Sequence, residues 1–322
     1  MRTYKQLTYE QRCQLEVLKK SGMSQQSIAA VVGTDQSTIS RELRRNRGQR
    51  VYRHKKAQRL ATERRASAAK SVKMTPNMVQ QVEQKLREKW SPEQISGWLA
   101  TELGESLSHE RIDLHIWSDK SAGGDLYTHL RRSGKAYQKR RDGNRPQGRI
   151  RNRVGIEARP SVVDEKSCVG DWEIDTVIGK GHRGALVTLV KRATQFTLVA
   201  RVANKSASAV TAATIELLRP YKKVLHTITA DNGKAFAYHE QLTAELGAAL
   251  YFARPYHSWE RGLNENTNGL LRQYWPKCTD FTKVSTREVA NNVCQLSRRP
   301  RKTLGFKTPE VLMQDHLAEL TA

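Results

Sequence analysis

Between residues 170 and 202, three runs of strand character follow one another with no helix between them: GDWEIDTVI (170–178), ALVTLVKR (185–192) and FTLVARV (196–202). Beyond them the pattern alternates. An alanine-rich helix is expected from Ser206 to Leu218, then a strand VLHTITA (224–230), a helix over 238–246, a strand ALYFA (249–253) and a helix within WERGLNENTNGLLRQYWPK (259–277). Three strands followed by alternating helix and strand specify an α/β domain on a mixed sheet, taken here as residues 161–322. Thr308-Pro309-Glu310 opens a last helix after the basic stretch RRPRKTLGFK.

Upstream of this domain the periodicity is helical. Thr8 followed by Gln11 is a capping box that opens a helix with Leu15 and Leu18 facing inward. Ser24 caps SQQSIAAVV, with Ile28 and Val31 inward; Gly33 makes the turn, and Asp35 starts DQSTISRELRRN, with Ile39 and Leu43 inward. Two short helices around a tight glycine turn form a helix-turn-helix, assigned to residues 1–48. Its third helix turns Gln36, Ser37, Ser40, Arg41, Arg44 and Arg45 away from the apolar face. Arg suits guanine and Gln suits adenine in the major groove, so these six are the expected DNA-reading residues. Residues 49–75 are expected as a basic helix or linker. A second helical region (76–130) follows, with starts at Ser91-Pro92-Glu93-Gln94 and Ser108; a second helix-turn-helix and a purely structural bundle both fit it. A basic linker spans 131–160.

Charge points to the partner. The chain of 322 residues carries 56 Lys+Arg against 32 Asp+Glu, a net charge of +24. Residues 1–160 hold 34 basic and 16 acidic side chains, 34 − 16 = +18, so the excess is concentrated in the helical half. With no amphipathic anchor and no apolar run near the ~18 residues of a membrane span, nucleic acid is favoured over a membrane. The N-terminus lacks a signal-peptide core, which predicts a cytoplasmic, nucleoid-associated protein. Cys13, Cys168, Cys278 and Cys294 form no CxxC pair, and the nine histidines form no HxxxH pair, so neither a disulfide framework nor a zinc site is expected.

Three places offer acids for phosphoryl chemistry, which calls for carboxylates converging on divalent metals. Asp171, Glu173 and Asp175 alternate along one strand and so share a face, either functional or exposed on an edge. Asp231 ends an apolar strand and precedes Asn-Gly, as a site acid or a turn residue. Glu265 lies on the last of these helices among Asn264, Asn266 and Asn268; Arg261, Glu265, Asn268 and Arg272 share one side of it. Taken alone, Glu265 reads as a surface ion pair with Arg261. Three asparagines weaken a helix, which makes sense if their face meets DNA and bound water rather than a core.

The order GDWEID…ITADNGKAF…YFARPYHSWERGLNENTNGLLRQYWPK…RRPRKTLGFKTPEV closely resembles the bacterial insertion-sequence transposases of family thirty, of the DDE class. The resemblance extends to the N-terminal helix-turn-helix. It implies an RNase H-like catalytic domain in which Asp175, Asp231 and Glu265 bind two Mg²⁺ ions, with Mn²⁺ as a substitute. Arg261, Arg272 and Lys234 are expected to contact phosphates nearby. It also implies terminal inverted repeats and target DNA as partners, strand cleavage followed by strand transfer, and a homodimer or higher assembly on DNA. Two positions depart from the family pattern: Ile174 replaces the usual Gly before the first acid, and Ser297 stands where Asn is common. The alternative is a helix-turn-helix transcription regulator with a degenerate nuclease-like domain. The expected fold class is therefore α+β and multidomain, an all-α helix-turn-helix region followed by an RNase H-like α/β domain with a mixed sheet.

Overall fold

The computed structural model describes residues 6–46, 51–67, 74–131, 150–166, 168–255 and 257–319. Two compact units divide the chain, residues 1–72 and residues 73–322.

The first unit holds α1 (Tyr9–Lys20), α2 (Gln25–Val32), α3 (Gln36–Asn46) and α4 (His54–Ser67). The expected caps form: Thr8 and Gln11 exchange both capping-box bonds, Ser24 accepts from Ser27 N–H, and Asp35 accepts from Ser37 N–H. Gly33 ends α2 at φ +70°, a left-handed conformation that costs a glycine nothing. Leu15, Ile28 and Ile39 are fully buried, with Leu18 and Leu43 packed against them. Val31 is a correction: it is 59% exposed, and Ala29 and Val32 take the inward positions. The helix is rotated so that Ile28 and Val32, four apart, share the buried stripe.

The basic segment 49–75 does more than carry charge. Tyr52 and Ala57 are buried in this unit's core. Arg12 pairs with Glu42 at 2.8 Å inside the unit, Tyr52 donates to Glu42, and Glu16 accepts the backbone N–H of His54 at the start of α4. A charged side chain survives burial only when paired in this way.

The second unit begins with α5 (Pro76–Arg87), α6 (Pro92–Glu102) and α7 (His109–Ser121). Met78, Val82, Leu86, Ile95, Leu99, Ile112 and Ile116 form their shared core. Although 76–130 reads as separate in sequence, these helices belong to the same compact unit as the sheet. Gln94 donates to the Pro300 carbonyl, and Phe306 packs so closely over Gly97 that a Cβ there would meet its ring at 2.1 Å. Most of the expected linker, residues 132–149, lies outside the described residues.

The sheet contains β1 (Asp171–Ile178), β2 (Ala185–Lys191), β3 (Thr197–Val202), β4 (Thr227–Ala230) and β5 (Ala249–Phe252), in the order β3-β2-β1-β4-β5. β1–β2 and β2–β3 are antiparallel, while β1–β4 and β4–β5 are parallel, so the sheet is mixed as expected. α8 (Ala207–Leu218) and α9 (His239–Leu246) cover one face, packing on Trp172, Ile174 and Ile228. α10 (Gly262–Leu271) and α11 (Thr286–Ser297) cover the other, packing on Val177 and Leu186; α12 (Pro309–Glu319) closes the described chain. Strand 224–230 is shorter than expected because Arg219–Val224 forms a 3-10 turn. All four cysteines are free thiols, and no helix among the described residues is long and apolar enough to cross a membrane.

Lys20 and the His54 N–H hold the Glu16 carboxyl down to about 2, from 4.5. A lowered carboxyl stabilises the fold fully above its unfolded value and loses that effect as pH falls toward the folded one. Glu16→Gln should therefore lower the Tm by roughly 3 °C at pH 7. The deficit, followed by thermal denaturation, should shrink steadily between pH 4.5 and about 2.

Candidate active site

β1 lies in the middle of the sheet, so the reading of its acidic face as an exposed edge fails. The three acids do three different things. Asp171 is buried and accepts from the Thr227 hydroxyl on β4 at 2.6 Å. Glu173, 1% exposed, pairs with Arg192 at 2.6 Å and accepts the backbone N–H of Asn264 in the first turn of α10. Asp175 alone retains partial solvent access.

Parallel pairing matches Asp171 with Thr227 and Glu173 with Thr229. Continuing that register by two residues sets Asp175 beside Asp231, just past the end of β4. Paired residues on adjacent strands point to the same face, so both carboxylates project toward α10. Arg261 lies between them, 3.6 Å from Asp175 and 3.8 Å from Asp231. Burial pushes the Asp175 carboxyl above the usual aspartate range; Arg261 opposes that rise, and the Asp231 charge adds to it.

Each acid is held. The Thr176 N–H and Asn268 side-chain amide donate to Asp175, at 2.7 and 2.9 Å. Asp231 accepts the Gly233 N–H at 2.8 Å, and a Cβ on Gly233 would come within 2.7 Å of that oxygen. Asp231 thus supports its turn and faces Arg261 at once. Asn232 fastens the turn by donating to the Ala253 carbonyl and accepting from Arg153.

α10 runs alongside β1 through polar contacts. Arg261 donates to the Ile174 carbonyl, Asn264 N–H to Glu173, Asn268 to Asp175, and Arg272 to the Ile178 carbonyl. The expectation for the asparagines needs correcting. Asn264 is fully buried, and half-buried Asn268 donates to Asp175 and accepts from Thr188, so these two face protein; Asn266 alone of the three is exposed, where it accepts from Arg131. Arg272 is likewise drawn away from the acids, donating to the carbonyls of Ile178, Trp275 and Pro276.

Glu265 is exposed on α10, one turn from both Arg261 and Asn268. Among the described residues no three His, Cys, Asp or Glu side chains converge closely enough to hold a metal ion. The structure brings Asp175 and Asp231 together across Arg261, and Glu265 stands on the helix that follows Arg261. Lys234 is exposed in the turn after Asp231. In the N-terminal unit Gln36, Ser37, Ser40, Arg41, Arg44 and Arg45 are all exposed on α3. Ile174 points into the core opposite the acids, and Ser297 is buried.

Sequence reasoning missed Arg192, Arg153 and Asn232. Arg192 left one signal: a cation ending an apolar strand in a domain whose neighbouring strand carries three acids.

Comparison with known proteins decides the family. Residues 3–46 match a helix-turn-helix domain and residues 168–258 match the integrase core domain. The chain is 43% identical over 307 residues to the transposase for insertion sequence element IS4351 of Bacteroides fragilis, covering 95% of this chain and 94% of that protein. It is 36% identical over 324 residues to transposase InsI for insertion sequence element IS30A of Escherichia coli (strain K12), covering 97% and 84%. The chain belongs to the IS30 family of insertion-sequence transposases. The catalytic core domain of BIV integrase is a structural neighbour at 18% identity and a TM-score of 0.38, covering 48% of this chain and 99% of that one.

As a DNA transposase, the protein is a DNA-cleaving and strand-transferring enzyme, and the transcription-regulator alternative is set aside. Asp175 and Asp231 fall within the integrase-core match, whereas Glu265 lies beyond its end at residue 258.

The raised Asp175 carboxyl works against folding once ionised, so stability falls as pH rises from the ordinary value of 3.8 through the raised one. In EDTA at pH 7, Asp175→Asn should raise the Tm by roughly 2 °C. Below about pH 4 the gain should vanish in the same melts.

Proposed function

We propose that the transposase binds the terminal inverted repeats of its element through α3 and cuts DNA at the Asp175–Asp231 pair with the help of divalent metal. One observation carries the catalytic part: two carboxylates, side by side at adjacent parallel strand ends, share a single bridging cation, Arg261. Hard oxygen donors that already attract a guanidinium suit Mg²⁺, with Mn²⁺ as a substitute. Asp175 and Asp231 would hold the metal, and Glu265, on the same side of α10 as Arg261 and Asn268, is the proposed third acid. Divalent ions held by these carboxylates would supply activation of the attacking oxygen and stabilisation of the leaving one.

The remaining residues position the reactants. Asn268 and the Thr176 N–H orient Asp175, and Gly233 N–H orients Asp231. Arg261 screens the two negative charges from each other and is available to a scissile phosphate once they are otherwise neutralised. Lys234, exposed beside Asp231, is a second phosphate contact. Water attacks the phosphodiester at the element end, leaving a 3′ hydroxyl and a 5′ phosphate. The 3′ hydroxyl then attacks a target phosphodiester and expels the target's own 3′ hydroxyl, so no covalent protein intermediate is required. Joining two element ends in one event favours a homodimer or higher assembly on DNA.

The decisive experiment is Mg²⁺-dependent nicking of duplex bearing the element's terminal repeats. Asp231→Ala and Glu265→Gln should each lower the rate by on the order of 10³-fold while binding persists. Nicking that continues unchanged in Asp231→Ala would remove that residue from the mechanism.

Readout of the repeats is tested separately. Arg41→Ala and Arg44→Ala should each weaken specific binding by about 1–3 kcal/mol, with loss of the footprint over the repeats. Equal weakening on unrelated duplex would mean that these arginines contact phosphates only.

A further inference from the structure

The segment RRPRK, between α11 and α12, carries cations that the reaction chemistry leaves unused. Arg299 is 1% exposed and Arg301 is 8% exposed, yet among the described residues neither pairs with a carboxylate. Arg299 donates to the Gln273 side chain and to the Tyr274 hydroxyl; its Nε is buried without a partner. Arg301 donates to the Leu296 carbonyl. Lys89, in the turn after α5, lies over the Tyr274 ring at 4.2 Å and donates to the Gln273 carbonyl.

Lys89, Gln273, Arg299 and Arg301 line a cavity of about 230 Å³ between α5–α6, α10 and the RRPRK segment. Lys302 and Arg131 also reach it, and Glu93, paired with Lys302 at 2.6 Å, is its one acidic lining residue. Burial and the neighbouring Arg299 charge both lower the Lys89 ammonium, and burial followed by Arg299 lowers Arg301 to about 10. Like charges crowded into low dielectric are costly unless an anion joins them. Carbonyls, a phenol and a side-chain amide satisfy individual N–H groups but leave the net positive charge in place.

We propose that this cavity is a binding site for a phosphate oxyanion, supplied by the backbone of a DNA strand lying along the flank of α10 away from the acid pair. Guanidinium forks suit the planar, bidentate recognition of phosphate, and Lys89 adds a point charge. The choice of DNA over a free oxyanion rests on the transposase reading; the anion site itself does not. Asn266, Leu270 and Gln273 present the side of α10 facing this cavity, so a strand held here would grip the helix that carries Asn268 and Glu265.

The test uses the full chain in EDTA, so that nicking plays no part. Chloride is exchanged for inorganic phosphate at constant ionic strength and the Tm is read. Phosphate should raise the Tm of the wild type and of Lys89→Arg, and the rise should be lost in Lys89→Gln. Lys302→Gln, a change at an exposed position that leaves Glu93 uncompensated at the cavity, should reduce it as well. On duplex DNA, Lys89→Gln should lower the slope of log K against log salt by about one. Absence of a phosphate-specific rise in the wild type, or a rise that survives in both glutamine variants, overturns the site. A rise lost in Lys89→Gln with an unchanged salt slope overturns the DNA strand as occupant and assigns the cavity to a free oxyanion.

Discussion

The candidate site depends on one buried carboxylate that takes no part in the chemistry. Glu173 reaches from the central strand to Arg192 and to the first-turn N–H of α10. A helix start leaves N–H groups without internal partners, and no side chain next to the start of α10 caps them. Glu173 does so from across the sheet, placing negative charge at the positive end of the helix. That contact fixes where α10 crosses β1. The positions of Arg261, Asn268 and Glu265 relative to Asp175 follow from it. Arg192 repays the desolvation of Glu173 with a short ion pair, without which the carboxylate would be too costly to bury.

The same strand shows how one sequence pattern serves three ends. Alternation put Asp171, Glu173 and Asp175 on one face, as periodicity requires, but depth separates them. The two acids beside paired residues of β4 are sealed off, and the third, level with the end of that strand, meets solvent and the turn after β4. Position along the strand, rather than residue type, divides structural from reactive carboxylates.

Much of this was legible in the sequence. Strand runs, helix caps at Thr8, Ser24, Ser91, Ser108 and Ser206, and the turn at Asn232-Gly233 are local signals, and all five caps form. Asp175 and Asp231 were reachable because each ends an element. Long-range pairing was not. Nothing near Arg192 announces Glu173, nothing in the basic segment around α4 announces that Tyr52 and Ala57 turn back into the N-terminal core, and the buried Asn264 looks like the exposed Asn266. Val31 was misplaced because a short helix with adjacent apolar residues leaves its rotation open by one position. Arg272 has the spacing of a site residue, but carbonyls at the ends of β1 and α10 claim its donors.

The parallel pairing of β1 with β4 also bears on how such a chain tolerates change in length. The stretch linking the two strands, through β2, β3 and α8, can lengthen in its loops without disturbing the register that sets Asp231 beside Asp175. A single residue inserted between Thr227 and Asp231 would instead rotate the second carboxylate to the face covered by α8 and α9. A one-residue insertion within the four residues of β4 is thus intolerable where longer loops are tolerated, and length variation among working relatives should stop abruptly at the edges of that short strand.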